Sequence, residues 1–186
     1  MNGIAIESGR TAISRNGLSL PLKIMEQRSC FTKEDNIFDM GHGRGGDMVE
    51  LRKMGYTVAG WDPNHYVQGY SVDSLDWKDI SLQPDFIYCG YVLNVLESPE
   101  LRIALAKDIF DMLDYSGAAG FAVRSFREVA RSKTDNWVIH GDGWLTSSNT
   151  FQYGFTPANL VSVLDEAGFS EINIIKKSPV IAIAEK

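Results

Sequence analysis

A cluster of glycines between a strand-like and a helix-like segment is the part of this sequence best suited to ligand chemistry. Residues 39–46 read Asp-Met-Gly-His-Gly-Arg-Gly-Gly. Glycines at such a junction let the backbone approach a ligand closely and adopt positive φ angles, and the start of the following helix offers unpaired N–H groups. Asp62 stands 23 positions after Asp39, at the end of the next strand-like segment. The pattern predicts a ligand site formed by one glycine loop and two carboxylates.

Strand-like and helix-like segments alternate along the chain around this cluster. Apolar runs bounded by glycine or a turn signal predict strands, and apolar residues three or four apart, followed by a glycine, predict helices. Ser98-Pro99 and Thr156-Pro157 each supply a cap followed by a proline at the first helical position. The predicted strands are 37–40, 57–61, 86–89, 120–123, 172–175 and 180–183, and the predicted helices are 20–30, 47–54, 99–113 and 157–168.

This order of elements predicts an α/β fold with a mostly parallel sheet. The last two strands are separated only by residues 176–179, which are too few for a helical crossover, so we expect them to form an antiparallel hairpin. A Rossmann-like, mostly parallel seven-stranded sheet that ends in such a hairpin is the class I methyltransferase fold. We expect one domain over residues 1–186, with a helical cover (1–35), a cofactor-binding half (36–125), and a lid or substrate loop followed by the hairpin (126–186).

The composition is that of an ordinary globular protein. Of the 186 residues, 44% are hydrophobic and 23% are charged, so disorder is not expected, and no apolar run approaches the roughly 20 residues that cross a bilayer. The net charge of −6 argues against bulk electrostatic attraction to nucleic acid. Cys30 and Cys89 lack the spacing of a disulfide framework or a zinc site. We expect no metal, no membrane association and a reducing, cytoplasmic setting.

The glycine loop fits the patterns of two kinds of cofactor site. Gly41, Gly43 and Gly46 satisfy the Gly-x-Gly-x-x-Gly pattern of dinucleotide sites. A carboxylate at position 39 would repel a pyrophosphate, however, and the terminal hairpin leaves no second mononucleotide-binding half. S-adenosylmethionine has no phosphate, and a carboxylate attracts its cationic amino group and sulfonium. We therefore predict an S-adenosylmethionine site formed by Asp39, Gly41, His42, Gly43, Gly45, Asp62, Pro63, Gly90 and Tyr91.

Several positions have specific predicted contacts with this cofactor. Asp62 is placed to accept hydrogen bonds from two ribose hydroxyls, although an aspartate before a proline is also a common turn residue. Gly90, at the end of the third strand, permits backbone approach to the methionine part, and Tyr91 or the nearby Asn94 is a candidate to face the methyl group. Asp73 or Asp76 is a candidate partner of the adenine amino group.

Seven short motifs recur along about residues 11–160 in a pattern known from one family: 11–15 (TAISR), 18–21 (LSLP), 37–47 (IFDMGHGRGGD), 60–63 (GWDP), 90–97 (GYVLNVLE), 141–146 (GDGWLT) and 150–152 (TFQ). Together they resemble the motifs of the DNA phosphorothioation-associated methyltransferases. The resemblance implies an S-adenosylmethionine-dependent enzyme linked to DNA modification or phage defence. Members of that family are longer, and they carry a cysteine where this chain has His42 and an aspartate where it has Gly46.

The sequence motifs indicate the methyl acceptor less clearly than they indicate the cofactor. Enzymes that methylate amino groups of DNA bases carry Asn/Asp-Pro-Pro-Tyr where residues 89–92 of this chain read Cys-Gly-Tyr-Val, and no Pro-Cys pair supports carbon-5 methylation of cytosine. Because methyl transfer proceeds largely by positioning, a missing base does not exclude activity. We expect a nucleic acid or nucleotide-like acceptor. The candidate catalytic residues are His140, Asp142, Asn94 and Arg124.

The sequence leaves several alternatives open. Three arginines after the fourth strand either contact a phosphate or form a solvated helix face beside Glu128; they are Arg124, Arg127 and Arg131. Trp144 and Phe151, in a Gly- and Ser-rich insertion, either stack on a base or pack the insertion onto the sheet. The chain as a whole is alternatively a binding module or sensor for S-adenosylmethionine without transfer activity, or an enzyme that consumes this compound by another route such as cleavage.

Overall fold

The computed structural model describes residues 7–64, 75 and 83–186. Within this part, the predicted helices and strands follow one another in the predicted order, α4 and β5 to β7 are additional, and 3-10 turns lie at Ser8–Thr11 and Leu93–Val95. The bounds are α1 Leu20–Gln27, β1 Asn36–Met40, α2 Gly46–Lys53, β2 Thr57–Trp61, β3 Phe86–Gly90, α3 Pro99–Met112, β4 Ala118–Val123, α4 Phe126–Ser132, β5 Val138–His140, β6 Gly143–Leu145, β7 Phe151–Gln152, α5 Pro157–Glu166, β8 Ser170–Lys177 and β9 Val180–Glu185.

The main sheet of the described residues has six strands in the order β2-β1-β3-β4-β9-β8. β1 pairs in parallel with β2 and β3, and β3 pairs in parallel with β4, whereas β9 is antiparallel to both β4 and β8. The predicted α/β fold with a mostly parallel sheet and a C-terminal antiparallel hairpin is therefore confirmed. The count of seven strands stays a prediction, because residues 65–74 and 76–82 lie outside the described part of the chain.

The strands divide their side chains between two hydrophobic cores, one on each face of the sheet. In β3, Phe86 and Tyr88 pack in one core with residues of α1 and α2, whereas Ile87 and Cys89 pack in the other with residues of α3 and α5. Successive side chains of a strand point to opposite faces, so a sheet covered on both faces has apolar residues at consecutive positions. This packing explains why the strands are visible in the sequence as continuous apolar runs.

The predicted helix starts are confirmed by their capping contacts. Ser98 Oγ accepts a hydrogen bond from the Leu101 N–H at 3.3 Å, and Thr156 Oγ1 accepts one from the Asn159 N–H at 3.1 Å. The helix predicted over 20–30 ends earlier, at Gln27, because the backbone turns away at positive φ two residues later. Among the described helices, none combines the length and the apolar character of a membrane span.

Residues 138–152, within the segment predicted as a lid or substrate loop, form a second sheet of three antiparallel strands in the order β5-β6-β7, which we call the small sheet. Its Phe151 side chain is fully buried and Leu145 nearly so, which agrees with the packing alternative for Phe151 rather than with stacking on a base. Strands of two or three residues are too short to show an alternating pattern, so the sequence did not predict this sheet.

Candidate functional site

The carboxyl ends of β1, β2 and β3 border a cavity of about 350 Å³. Ligands of open α/β sheets bind at this edge, and ligand pockets commonly have volumes of about 300–1,000 Å³. Gly45 is the N-cap residue of α2 and is not among the described residues that line the cavity, so its contact with the cofactor stays a prediction. The other eight residues of that prediction line the cavity: Asp39, Gly41, His42, Gly43, Asp62, Pro63, Gly90 and Tyr91.

The glycine loop has a conformation that side chains at its glycines would disturb. Gly41, Gly43 and Gly45 have φ angles of 81°, 57° and 75°, in the left-handed region that other residues rarely adopt. A Cβ atom on Gly41 would overlap Cγ2 of Val92, which belongs to the cavity wall. The Gly41 N–H donates to the Trp61 carbonyl at 2.7 Å. The loop is therefore held against the end of β2 in a form that depends on glycine.

We expect Gly41→Ala to impair both stability and ligand binding. The alanine would overlap Val92 and hold a left-handed φ, and a residue strained in this way costs about 1–3 kcal/mol. Gly55→Ala is the matched control, because Gly55 has a φ of +90° but only the flexible Lys33 Nζ, at 3.8 Å, near its Cβ position. Urea unfolding should show the larger loss for Gly41→Ala, and titration with S-adenosylmethionine should show weaker binding for that variant alone. Equal effects in the two variants would contradict this prediction.

The Asp62 carboxylate links the glycine loop to the end of β2. Its Oδ2 accepts a hydrogen bond from the Gly43 N–H at 2.9 Å, and its Oδ1 accepts one from the Asn64 N–H at 2.8 Å. The bond to Asn64 is the local turn contact that an aspartate before Pro63 makes. The bond to Gly43 goes further, because it fixes the carboxylate at the cavity beside the glycine loop. Asp62 therefore has a structural contact and a place on the cavity wall at the same time.

Asp39 is a buried carboxyl group on the cavity wall. Its side chain is nearly inaccessible, and its pKa is raised well above the ordinary value, first by burial and then by the charges of Asp47 and Asp62, while Arg15 opposes the rise. A cation placed beside it would favour the charged form and lower the pKa again. The cavity therefore has a region in which a positively charged ligand group would be stabilised.

Sequence reasoning did not single out Asp47 and Tyr88, which also line the cavity. Buried Asp47 accepts a hydrogen bond from the Ser19 N–H at 2.6 Å, and the Tyr88 hydroxyl lies 3.2 Å from Ser19 Oγ. Burial raises the pKa of the Tyr88 hydroxyl well above its ordinary value, so this group stays neutral. An aspartate in a first helical turn and a tyrosine in a buried strand have ordinary structural explanations, so no sequence signal marks them as site residues.

An N-terminal segment, residues 9–15, lies across another part of the cavity. Ala12 and Arg15 are among its cavity-lining residues, and Arg44 Nε donates to the Ala12 carbonyl at 3.2 Å. The guanidinium carbon of Arg15 is 6.0 Å from the centre of the Tyr91 ring. The part of the predicted cover that the structure describes thus has a helix, α1, and before it the 3-10 turn Ser8–Thr11 with the irregular residues 12–15, which contribute directly to the cavity.

A further part of the wall is mostly apolar. α3 contributes Leu101, Ala104 and Leu105 together with one charged residue, Asp108, and Val95 and Leu96 at the end of the 3-10 turn before α3 add two more apolar side chains. Such a surface fits an uncharged, flat ring system better than it fits a phosphate, because burying an unpaired charge against apolar groups is unfavourable. The cavity therefore combines an acidic region at the glycine loop with an apolar region at α3.

The four residues predicted for catalysis are His140, Asp142, Asn94 and Arg124, and none of them is among the described residues that line the cavity. Asp142 forms an ion pair with Arg102, in which Oδ1 lies 2.6 Å from Nη2. His140 Nε2 lies 4.0 Å from a carboxylate oxygen of Glu97. Catalysis by these residues stays a prediction, and the geometry gives these two side chains partners away from the cavity.

The other two catalytic candidates also have structural contacts. Asn94 is buried, and its Oδ1 accepts a hydrogen bond from the Arg124 N–H at 3.2 Å. The Arg124 guanidinium donates to Gln152 Oε1 at 2.9 Å, so it joins the end of β4 to the small sheet. Arg127 and Arg131 are exposed on α4, as the solvated-face alternative requires.

The remaining predicted features concern the cysteines, metal and adenine contacts. Cys30 and Cys89 are free thiols, and burial raises the pKa of Cys89, which disfavours the nucleophilic thiolate. No group of three or more metal-ligating side chains is found among the described residues. Asp73 and Asp76, the candidates for the adenine amino group, lie outside the described residues.

Comparisons with known proteins agree with this fold. The chain is similar to a methyltransferase from Archaeoglobus fulgidus described as S-adenosylmethionine-dependent (14% identity, 88% of this chain and 92% of that chain, TM-score 0.63). It is similar to another from Methanosarcina mazei (17% identity, 92% and 99%, TM-score 0.60). A third is the 1,6-didemethyltoxoflavin-N1-methyltransferase of Burkholderia thailandensis, solved with 1,6-didemethyltoxoflavin and S-adenosylhomocysteine (14% identity, 88% and 75%, TM-score 0.61). At these identities the likeness shows the fold.

A family model supplies the assignment that structural likeness alone does not. No curated protein matches the sequence. The model of the methyltransferase domain, however, matches residues 12–173, which include the glycine loop, the acidic and apolar parts of the cavity wall and part of the N-terminal segment. With this match over most of its length, the chain belongs to the methyltransferase domain family.

Proposed function

We propose that this chain transfers a methyl group from S-adenosylmethionine, bound in the cavity, to an acceptor. The observation that carries the proposal is the pair of cavity carboxylates, buried Asp39 and fixed Asp62, beside a glycine loop. Membership of the methyltransferase domain family supports the same reaction. When bound, the cofactor would supply an electrophilic methyl group on a positively charged sulfur.

The residues around Asp62 fit the adenosine part of this cofactor. A carboxylate has about four lone-pair sites, and the N–H groups of Gly43 and Asn64 use two of them. Because the carboxylate also lines the cavity, a pair of ribose hydroxyls placed there would donate to it, which is the contact predicted from the sequence. The apolar part of the wall at Leu101 and Leu105 suits the adenine ring.

The residues around Asp39 fit the amino-acid part of the cofactor. Asp39 and Asp47 are two carboxyl groups close to the glycine loop, and the cofactor brings an ammonium and a sulfonium. Its α-carboxylate needs a cation, and Arg15 lies on the cavity wall within electrostatic reach of Asp39. None of the ion pairs found among the described residues includes Arg15, so its guanidinium is available for a carboxylate.

Gly90 and Tyr91 are the residues that we assign to the methyl group. Gly90 ends β3, and a Cβ atom there would overlap the Tyr88 hydroxyl, so the backbone is closely packed at this point. Tyr91 has a positive φ of 63°, uncommon for a residue with a side chain, and it lines the cavity. These residues would position the acceptor in line with the methyl group, and positioning supplies much of the rate enhancement of such transfers.

The raised pKa of Asp39 predicts that cofactor binding depends on pH. A cationic ligand stabilises the ionised carboxylate and lowers its pKa, so binding should release a proton. Affinity should therefore rise with pH until the pH exceeds the raised pKa of the free protein, and then level off. The same raised pKa means that the free protein loses stability as the pH rises from the unfolded-state pKa towards the raised one. Calorimetry in two buffers of different ionisation enthalpy, below about pH 7 to avoid titrating the ligand amine, measures the released proton.

Asp39→Asn is the control for this pH dependence. It keeps the size of the side chain and removes the titrating group, so its binding should be weaker and independent of pH over the same interval. Proton uptake on binding by the wild-type protein, or the same pH profile in both proteins, would contradict the assignment to Asp39.

For the acceptor, we propose a nucleic acid or a nucleotide-like molecule, as in a DNA-modification system. The resemblance to the DNA phosphorothioation-associated methyltransferases supports this choice. Arg127 and Arg131 are exposed on α4 and are accessible to a phosphate group. One structural neighbour was solved with the small heterocycle 1,6-didemethyltoxoflavin, so small heterocycles belong among the acceptors to be tested.

The test of the proposed function is incubation with S-adenosylmethionine labelled on the methyl group, together with pools of nucleic acid, protein and small molecules. We expect label in one pool, with the nucleic acid pool favoured, and loss of the label with Asp62→Ala. Binding of the cofactor without transfer would instead identify a binding module, and loss of the cofactor without transfer would identify a cleaving enzyme. Failure of the cofactor to bind would overturn the proposal.

A further inference from the structure

Arg102 on α3 is a charged residue buried behind the cavity wall. Its side chain is only 3% exposed, yet it does not line the cavity itself. Nη1 and Nη2 donate to the two oxygens of Asp142 at 2.7 and 2.6 Å. Asp142 lies between β5 and β6, so this two-point ion pair attaches the turn of the small sheet to α3.

The same guanidinium contacts two other elements. Nε donates to the Leu96 carbonyl at 3.1 Å, and Leu96 lines the cavity. The guanidinium carbon lies 3.9 Å from the centre of the Tyr153 ring, directly after β7. One buried cation therefore touches the cavity wall on one side and, on the other, the β5–β6 turn of the small sheet and the residue that follows β7.

A second contact joins the end of the small sheet to the segment that forms the cavity wall. The Tyr153 N–H donates to the Asn94 carbonyl at 2.8 Å, so the chain after β7 is bonded to the 3-10 turn Leu93–Val95. Val92, Val95 and Leu96 line the cavity. Segment 92–96 thus has the cavity on one side and, on the other, contacts to Arg102 and to the residue that follows β7.

We propose that Arg102 is a positioning residue that couples the small sheet to the ligand cavity, so that cofactor binding and the placement of the small sheet are linked. The proposal rests on the proposed function. Coupling of this kind is reciprocal: a ligand that fixes segment 92–96 must also stabilise the small sheet, and a ligand that fixes the small sheet must strengthen cofactor binding.

The test is hydrogen exchange of the backbone amides with and without saturating S-adenosylmethionine. In the wild-type protein, the ligand should slow exchange in the small sheet by about tenfold, within the range found for coupled sites. The slowing is measured relative to amides of the edge strand β8, which corrects for the general stabilisation that any ligand gives. In the double variant Arg102→Met/Asp142→Asn, which leaves no unpaired buried charge, this excess protection should disappear while the cavity loops remain protected.

Lys133→Met is the matched control. Lys133 Nζ lies 3.5 Å from the centre of the Trp144 ring, so it also attaches the small sheet to the end of a helix, α4, but neither residue lines the cavity. If the contacts of Arg102 were merely structural, Lys133→Met and the double variant Arg102→Met/Asp142→Asn would change the ligand-induced slowing of exchange in the small sheet equally. We expect Lys133→Met to keep the excess protection of the small sheet that the double variant loses.

Each outcome of this experiment is informative. Protection confined to the cavity loops in the wild-type protein, or excess protection retained in the double variant, would overturn the coupling and leave the proposed function intact. A wild-type protein that shows no protection anywhere, and no binding of S-adenosylmethionine by calorimetry, would overturn the proposed function itself and with it the coupling.

Discussion

Replacing Asp62 by alanine should weaken binding of S-adenosylmethionine by roughly ten- to hundred-fold, as expected for the loss of hydrogen bonds to a charged group worth about 1.5–3 kcal/mol. Two effects act in the same direction. The ribose hydroxyls lose their acceptor, and the Gly43 N–H loses the partner that holds it at 2.9 Å, so the glycine loop is less well fixed. Calorimetric titration measures the change in affinity.

Asp85→Ala is the control for this substitution. Asp85 Oδ2 also accepts two hydrogen bonds, from the backbone N–H and the side-chain amide of Asn36 at 2.7 and 3.0 Å, but it does so at the amino ends of β1 and β3. Its loss should lower stability without changing affinity. Unchanged affinity in Asp62→Ala, or an equal loss in Asp85→Ala, would remove Asp62 from the ligand site.

The second large effect concerns stability and the ion pair between buried Arg102 and partly exposed Asp142. Asp142→Ala leaves a buried guanidinium without its carboxylate, and breaking a buried pair costs about 3–5 kcal/mol. We expect the lower end of that range, because Asp142 is 35% exposed and solvent screens the charges. Arg102→Met/Asp142→Ala removes both charges and should lose less stability than Asp142→Ala alone. Urea unfolding of both proteins measures the difference.

An exposed pair supplies the comparison for this prediction. Lys53 Nζ lies 2.7 Å from Glu50 Oε1, but Lys53 is 66% exposed, so Glu50→Ala should change stability by less than about 1 kcal/mol. A double variant less stable than Asp142→Ala would show that Arg102 is held mainly by its aromatic and backbone contacts. That result would contradict a dominant role for the charge of Arg102 in stability.

The fold was largely predictable because its signals are local. The central parallel strands β1, β3 and β4 are buried on both faces and therefore appear as short apolar runs, and Ser98 and Thr156 cap their helices as their sequence context indicates. The glycine loop was predictable for the same reason, since positive φ at Gly41 and Gly43 favours glycine at those positions. Features that depend on neighbouring residues in the chain can be recognised without knowledge of the tertiary structure.

The features that escaped prediction depend on contacts between distant segments. Arg102 and Asp142 are 40 positions apart, and nothing local distinguishes Arg102 from an ordinary helix-surface arginine. Asp47 and Tyr88 meet Ser19 only because the start of α1 lies against β3 and the start of α2. Asp142 was singled out as a catalytic candidate from a polar, glycine-rich context, whereas its geometry is that of an ion-pair partner.

The most direct test of the central claim is a crystal structure of the chain grown with S-adenosylmethionine. We predict that the compound occupies the cavity, with both ribose hydroxyls donating to Asp62 and the amino group and sulfonium on the side of Asp39. A structure in which the compound binds elsewhere, or in which the Asp62 carboxylate points to solvent and makes no contact with the ribose, would contradict the claim.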